Sequence, residues 1–112
     1  MSKIKLQDFI KFGRLFEIYG ELLSDDRQKI MTSYFEYNMT LVEIAEERGI
    51  SRQAVLDAID KGCEKLNFYE EKLHILEQKE RLLADLSKLK ETADKNDKSL
   101  LSSEIDEMLR RL

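Results

Sequence analysis

Proline is absent from this chain of 112 residues, and glycine occurs at only four positions. Proline ends or kinks helices and glycine weakens them, so their scarcity leaves long helices uninterrupted and supplies few residues for tight hairpin turns. Charged residues make up 38% of the sequence, which is enough to cover the outer faces of several helices. The composition therefore predicts an all-α fold.

Cysteine is also scarce. Cys63 is the single cysteine, so the chain cannot form an internal disulfide. The first residues lack the charged and then apolar pattern of an export signal. No apolar run approaches the roughly 20 residues that cross a bilayer. We therefore expect a soluble cytoplasmic protein with no membrane insertion.

Residues that could carry catalysis or bind a metal are few and scattered. His74 is the single histidine and is surrounded by Glu and Gln, Cys63 has no histidine near it, and the glycines form no phosphate-binding loop. Asp25 and Asp26 follow Ser24 where a helix is predicted to begin, and acidic side chains there stabilise the free backbone amides. We predict no catalytic residues, no metal site, no cofactor and no enzymatic activity.

The spacing of apolar residues predicts that the chain begins with a helical hairpin. Apolar side chains recur every three or four residues between Ile4 and Leu23. Ser24 is suited to cap a second helix, which should end near Asn38, a residue that tolerates the left-handed conformation. The predicted inward residues are Leu6, Phe9, Ile10, Phe16, Tyr19, Leu22 and Leu23 in the first helix and Ile30, Met31, Tyr34 and Phe35 in the second.

Two short helices with a sharp turn between them are predicted in residues 40–61. Thr40 and Glu43 have the spacing of a capping box, in which each side chain binds the other residue's backbone amide. Gly49 can adopt the positive φ angle that ends a helix, and Ser51 can cap the next one. The residues predicted to face the core are Leu41, Ile44, Ala45, Val55 and Ile59. This pattern is typical of a helix-turn-helix unit.

Beyond Cys63, the apolar pattern predicts one long helix that continues without a break to about Thr92. Part of its stripe has heptad spacing, as in helices that pair; these residues are Ile75, Leu82, Leu86, Leu89 and Ala93. The polar segment 94–99 is predicted to be a hinge, after which Ser99 would cap a terminal helix. That helix has its own apolar stripe, formed by Leu101, Ile105, Met108, Leu109 and Leu112.

These patterns divide the chain into two parts. Residues 1–69 are predicted to form the helical domain that contains the helix-turn-helix, and residues 70–112 an interaction region. The two stripes of the second part expose more apolar side chain than one slender helix can hide. We therefore expect a homodimer, although the sequence does not specify its geometry.

The segment TLVEIAEERGISRQAV, within residues 39–66, resembles the helix-turn-helix of region four of bacterial sigma factors. The wider run from FEIYGELLSDDRQKIM to KLNFYEEKL resembles the YlxM-like family of small bacterial helix-turn-helix proteins. This resemblance implies a helical hairpin, a helix-turn-helix and a long helix, together with DNA binding. The genes of this family often lie beside those of the signal recognition particle, which implies that its GTPases or its RNA are further candidate partners.

The sigma-like pattern implies the residues that would contact nucleic acid. Ser51, Arg52 and Gln53 lie at the amino end of the second helix of the unit, which is the recognition helix. Arginine can bind guanine and glutamine can bind adenine in the major groove, and Ser51 can help to hold a phosphate. Lys61 and Lys65 follow along the same helix and are predicted to contact the backbone.

The sequence departs from the sigma pattern at Ala54, Leu56 and Asp57, where sigma factors often have arginine and glutamine. Residues 51–69 contain three basic and three acidic residues, and residues 24–50 contain three basic and six acidic ones. The net charge of the chain is −4. Because an acidic surface repels phosphate, we expect the intrinsic affinity for duplex DNA to be low.

Two hypotheses therefore remain open. In the first, the protein is a dimeric DNA-binding regulator, whose target sequence and regulated genes the chain does not reveal. In the second, the helix-turn-helix is a protein- or RNA-interaction module of the signal recognition particle pathway and binds no specific DNA sequence.

Overall fold

The computed structural model describes the backbone of residues 6–112 and the side chains from Asp8 onward. It contains six α-helices and one short 3₁₀ helix, and residues 6–112 include no β-strand, so the predicted all-α fold is confirmed. The helices are α1 (Leu6–Tyr19), the 3₁₀ helix (Gly20–Leu22), α2 (Asp25–Phe35), α3 (Leu41–Arg48), α4 (Arg52–Leu73), α5 (Ile75–Asp94) and α6 (Lys98–Arg111). The predicted start of the first helix at Ile4 lies outside the described residues. The chain forms two compact units, one extending to Leu76 and the other comprising Glu77–Leu112.

The core of the first unit is built around α4, which packs against α1, α2 and α3. Apolar side chains from all four helices are buried there: Leu15, Phe16, Tyr19, Leu23, Ile30, Met31, Ile44, Ala45, Val55, Leu56, Ile59, Cys63, Leu66 and Leu76. Since α4 contributes the most residues to this set, its amino-terminal half is held rigidly on the other helices. The first turn of α4 therefore has a fixed position relative to α3.

The predicted inward stripe of the first helix is wrong at two positions. Ile10 is 52% exposed and Leu22 is 58% exposed. Ile10 lies on the opposite side of α1 from the buried residues Leu15 and Tyr19, because each residue turns the helix by about 100°. Leu22 belongs to the 3₁₀ helix, whose tighter winding changes the direction of its side chain.

The amino-terminal cap predicted for α2 is confirmed, whereas its carboxyl-terminal cap is Glu36 and not Asn38. The hydroxyl oxygen of Ser24 accepts a hydrogen bond from the Arg27 amide at 3.3 Å. Helix α2 ends at Phe35, and Asn38 has a φ angle of 55°, in the left-handed region expected for it. The chain thus turns sharply before Thr40, where α3 is capped.

The prediction of an unbroken helix from Cys63 to Thr92 is wrong, because the helix is interrupted at His74. This residue is exposed, has a φ angle of 56° and ends α4. The amides of the next helix find partners in the first unit: Ile75 donates to the Tyr19 hydroxyl at 3.2 Å, and Leu76 donates to the Glu70 carboxylate at 3.0 Å. These side-chain partners, one of them 56 positions away in the sequence, make the break possible without leaving the amides unpaired.

The second unit is an antiparallel hairpin of α5 and α6. The cap of α6 is Asp97, whose carboxylate accepts from the Leu100 amide at 3.0 Å, and not the predicted Ser99. Asp97 lies two positions before Ser99 and is the better cap, because its negative charge also interacts favourably with the positive end of the helix dipole. The polar segment between the two helices is therefore only Lys95–Asp97, shorter than the predicted hinge 94–99.

Candidate nucleic-acid interface

Helix α3 is fixed at its start by the predicted capping box. The Thr40 amide donates to the Glu43 carboxylate at 2.9 Å, and the Glu43 amide donates to the Thr40 hydroxyl at 3.1 Å. The hydrogen bond from the Thr40 backbone is the main cause that lowers the pKa of Glu43, since it stabilises the charged carboxylate. A negative charge consequently sits at the amino end of this helix, on the exposed side of the unit.

The turn between α3 and α4 depends on Gly49, which has a φ angle of 66° in the left-handed region. The Ile50 amide donates to the carbonyl oxygen of Ala45 at 3.1 Å, which closes the last turn of α3. A Cβ atom at Gly49 would meet no other atom within 4 Å, so the requirement for glycine is conformational and not steric. The predicted glycine turn is confirmed.

The start of α4 places two of the candidate residues in solvent. The Ser51 hydroxyl accepts from the Ala54 amide at 3.0 Å and so caps the helix, as predicted. Val55 is fully buried, which orients the first turn against the core. Arg52 and Gln53 are exposed. Both side chains are therefore accessible to a partner, in the geometry that a recognition helix needs.

Gln53 has a partner of its own within the helix. Its side-chain amide donates to the carboxylate of Asp57 at 3.0 Å. This contact orients the carboxamide of Gln53. It also places the negative charge of Asp57 one helical turn beyond Gln53, which is a candidate for base contacts. The spacing of four residues within a helix could have indicated this pair from the sequence.

The candidate lysines lie on the same exposed side of α4 as Gln53. Four exposed residues follow one another along α4 at intervals of four: Gln53, Asp57, Lys61 and Lys65. Arg52 projects about 100° away from Gln53 around the helix axis, so it does not lie on this row. The structure thus gives a row with both charges, and a separate arginine at its amino end.

The three departures from the sigma pattern have different structural meanings. Leu56 is only 3% exposed and belongs to the core, so it cannot belong to a reading surface. Ala54 and Asp57 are exposed. Compared with the sigma pattern, the exposed surface of α4 therefore lacks the usual arginine or glutamine at two positions. One of them, Asp57, is acidic.

Charge around the unit is mostly acidic. Glu46 and Glu47 are exposed on α3. Arg48, at the end of the same helix, forms an ion pair with Asp26 at the start of α2. That pair joins residues 22 positions apart and has no signal in the sequence pattern. Because it neutralises the arginine nearest to the turn, the positive charge available to a phosphate comes mainly from α4.

Potential metal ligands do not cluster in the described residues, and the thiol of Cys63 is buried. Residues 6–112 contain no group of three His, Cys, Asp or Glu side chains that could hold a metal ion. Cys63 is buried in the core, and this burial raises the pKa of its thiol to about 12, so almost no reactive thiolate forms at neutral pH. Within the same part of the chain, no helix is long and apolar enough to span a membrane.

Comparison with known proteins finds relatives over most of the chain. Residues 6–107 match the UPF0122 family, described as "Putative helix-turn-helix protein, YlxM / p13 like". A UPF0122 protein of Fusobacterium nucleatum is 37% identical over 86 residues, covering 77% of this chain and 84% of the relative. A UPF0122 protein of Clostridium perfringens is 31% identical over 111 residues, covering 93% and 98%. One of Halalkalibacterium halodurans is 40% identical over 90 residues, covering 80% and 83%.

Proposed function

Because the chain belongs to the UPF0122 family of YlxM/p13-like helix-turn-helix proteins, we propose that it is a non-catalytic DNA-binding regulator whose recognition helix is α4. The observation that carries this proposal is the turn at Gly49 followed by the cap at Ser51. Together they leave Arg52 and Gln53 exposed on the first turn of a helix that is anchored in the core. The first turn of a recognition helix is the part that contacts base edges in helix-turn-helix proteins.

In this proposal each candidate residue has a distinct role. Arg52 binds guanine with two hydrogen bonds, and Gln53 binds adenine after its amide leaves Asp57. Ser51 contributes to phosphate binding at the amino end of α4, where the helix dipole favours an anion. Lys61 and Lys65 contact the backbone further along the groove.

The balance of charge implies weak binding by one subunit alone. Helix α3 and the start of α2 add acidic groups beside the interface, and Arg48 is paired with Asp26. A dimer would present two recognition helices to major grooves about 34 Å apart, so that the binding free energies of the two helices add. Binding should also weaken steeply as salt rises, because phosphate contacts release counterions.

A second candidate function is favoured by the same acidic surface. A helix-turn-helix with acidic groups on α3 and an internally bonded Gln53 suits a protein partner, or a structured RNA held at few phosphates, better than it suits a long duplex. In that case the protein acts as an interaction module of the signal recognition particle pathway. Binding to a protein partner would then depend less on Arg52 and less on salt.

The test is a titration of the full chain against random-sequence duplex DNA, the RNA of the signal recognition particle and its GTPases, at a low and a higher salt concentration. The proposal expects duplex binding that weakens steeply with salt. It also expects Arg52→Ala to weaken binding to a selected duplex site by about 1–3 kcal/mol. Arg110→Ala is the matched control, because it removes the same charge from an exposed position on α6.

Two results would contradict the proposal. One is the absence of duplex binding even at low salt, together with saturable binding of the RNA or of a GTPase, which would establish the second candidate. The other is equal loss of DNA affinity in the Arg52→Ala and Arg110→Ala proteins, which would mean that only overall charge matters.

A further inference from the structure

The hairpin of α5 and α6 exposes large apolar side chains on both helices. Leu82 and Leu86 are each 50% exposed on α5, while Ile105 is 41% and Leu109 60% exposed on α6. Proteins that act as monomers rarely expose a continuous apolar patch of this kind, and such patches usually mark an interface.

The two helices of the hairpin contact each other through polar side chains. Lys88 pairs with the buried carboxylate of Glu104 at 3.4 Å, and Arg111 pairs with Asp85 at 2.8 Å. Thr92 is buried. These contacts identify the side of each helix that faces its neighbour within the hairpin.

The exposed apolar residues follow those inward-facing residues by one position in the sequence. Leu86 follows Asp85 on α5, and Ile105 follows Glu104 on α6. One position turns a helix by about 100°. Because α5 and α6 run in opposite directions, the same rotation on both brings their apolar stripes to one common side of the hairpin.

Charged residues lie at the two outer edges of this apolar side. Lys90 follows Leu89 on α5, and Asp106 follows Ile105 on α6, and both are exposed. The ion pair between Lys88 and Glu104 shows that these two segments lie at the same level of the hairpin. Near this level the α5 edge therefore carries a basic side chain and the α6 edge an acidic one.

We propose that this apolar side binds the same side of a second copy of the chain, so that two hairpins form an antiparallel four-helix bundle. A two-fold axis parallel to the helices would place α5 of one subunit on α6 of the other. Lys90 would then face Asp106 of the second copy, and the leucines would interdigitate between them. The opposite pairing, α5 on α5, would bring the Lys90 edges together and is disfavoured by like charge.

The proposal does not depend on DNA binding. The partner is a second copy because one hairpin supplies both the apolar surface and the two edges of opposite charge. This side of the hairpin is therefore complementary to itself. A different protein partner would need none of this internal symmetry.

Sedimentation equilibrium of the full chain at micromolar concentration tests the dimer directly. The wild-type chain should be a dimer, and Leu86→Gln or Leu109→Gln should raise its dissociation constant by about tenfold or more. Glutamine favours helices, so both variants should keep the wild-type circular dichroism spectrum. Leu22→Gln is the control, since Leu22 is 58% exposed on the first unit and should leave dimerisation unchanged.

Charge reversal tests the arrangement of the helices. Lys90→Glu and Asp106→Lys should each weaken the dimer, and the double variant should recover most of the wild-type affinity. A monomeric wild-type chain would overturn the proposal, as would equal effects of Leu22→Gln and Leu109→Gln. Failure of the double variant to recover affinity would overturn the pairing of α5 with α6.

Discussion

The hydroxyl oxygen of Tyr19 lies 2.6 Å from a carboxylate oxygen of Glu70, joining α1 to the last turns of α4 across 51 positions of sequence. Tyr19 donates to Glu70 and accepts from the Ile75 amide, while the same carboxylate oxygen accepts from the Leu76 amide. Two side chains thus replace the intrahelical partners that the first amides of α5 lack. The ring of Tyr19 is only 1% exposed, so water cannot easily take the place of its hydroxyl.

We expect Tyr19→Phe to lower the free energy of unfolding by about 1–3 kcal/mol, because it removes the hydroxyl that donates to the half-buried Glu70 carboxylate and accepts from the Ile75 amide. Urea denaturation monitored by circular dichroism measures this change. Tyr37→Phe is the matched control, since Tyr37 is 72% exposed and should show almost no effect. Equal stability of the Tyr19→Phe and wild-type proteins would mean that water replaces the hydroxyl without loss.

Gly49 offers a test of the turn within the helix-turn-helix. Gly49→Ala should destabilise the fold by about 1–2 kcal/mol, because a residue with a Cβ atom is strained at a φ angle of 66°. Gly49→Asn should cost less, since asparagine adopts this conformation more readily. Thermal or urea unfolding of the three proteins gives the order directly. If alanine were tolerated as well as asparagine, the turn would not depend on its left-handed conformation.

Gly62 tests the close packing of α2 on α4. A Cβ atom at this position would contact the sulfur of Met31 and lie 2.8 Å from its terminal methyl carbon, and Met31 is fully buried. We expect Gly62→Ala to destabilise the first unit by about 1–3 kcal/mol, because the methionine has to move within a packed core.

Gly13→Ala is the control for this substitution. Its Cβ atom would meet Phe35 at 3.8 Å, which is an ordinary contact, and alanine favours a helix by about 0.5–1 kcal/mol over glycine. Gly13→Ala should therefore be neutral or stabilising. A cost for Gly62→Ala no greater than that for Gly13→Ala would show that the helices can separate freely.

The features that could be predicted from the sequence are those determined by residues close together in it. Thr40 and Glu43 are three positions apart, and Gly49 and Ser51 are separated by one residue, so their caps and turn follow from local chemistry. The exposure of Gln53 follows in turn, because Val55 fixes which side of α4 meets the core. Arg52 lies three positions before Val55, on the same side of the helix, so its exposure could be found only from the structure.

The features that could not be predicted depend on distant partners. The break at His74 relies on Tyr19, which no helical periodicity connects to it, and both helices around the break continue the same apolar pattern. The pairing of Arg48 with Asp26 likewise joins two helices and removes a cation that the sequence would count as available. The acidic balance of the candidate interface was visible in the composition, but its distribution required the structure.

Stability at alkaline pH should be limited first by Cys63. Burial, and then the negative charge of Asp60, raise the pKa of its thiol from 9.0 to about 12. Burial is also the main cause that raises the pKa of Tyr19 and of Tyr34 above 10.0. For all three groups the folded protein favours the neutral form, whereas the unfolded chain loses the proton at the ordinary value.

The stability contributed by these neutral groups is thus complete below pH 9.0 and decreases as the pH rises toward about 12, with the tyrosines adding to the decrease above 10.0. We expect the free energy of unfolding, measured by urea denaturation, to fall across this range. The first part of the decrease should come mainly from the thiol. Cys63→Ala should be less stable at neutral pH, because it leaves a small cavity, but should lose less stability between pH 9.0 and 10.0 than the wild type. Parallel curves for the two proteins would mean that the thiol ionises in the folded state as readily as in the unfolded chain. The thiol would then be less buried than its position beside Ile59 and Leu66 implies.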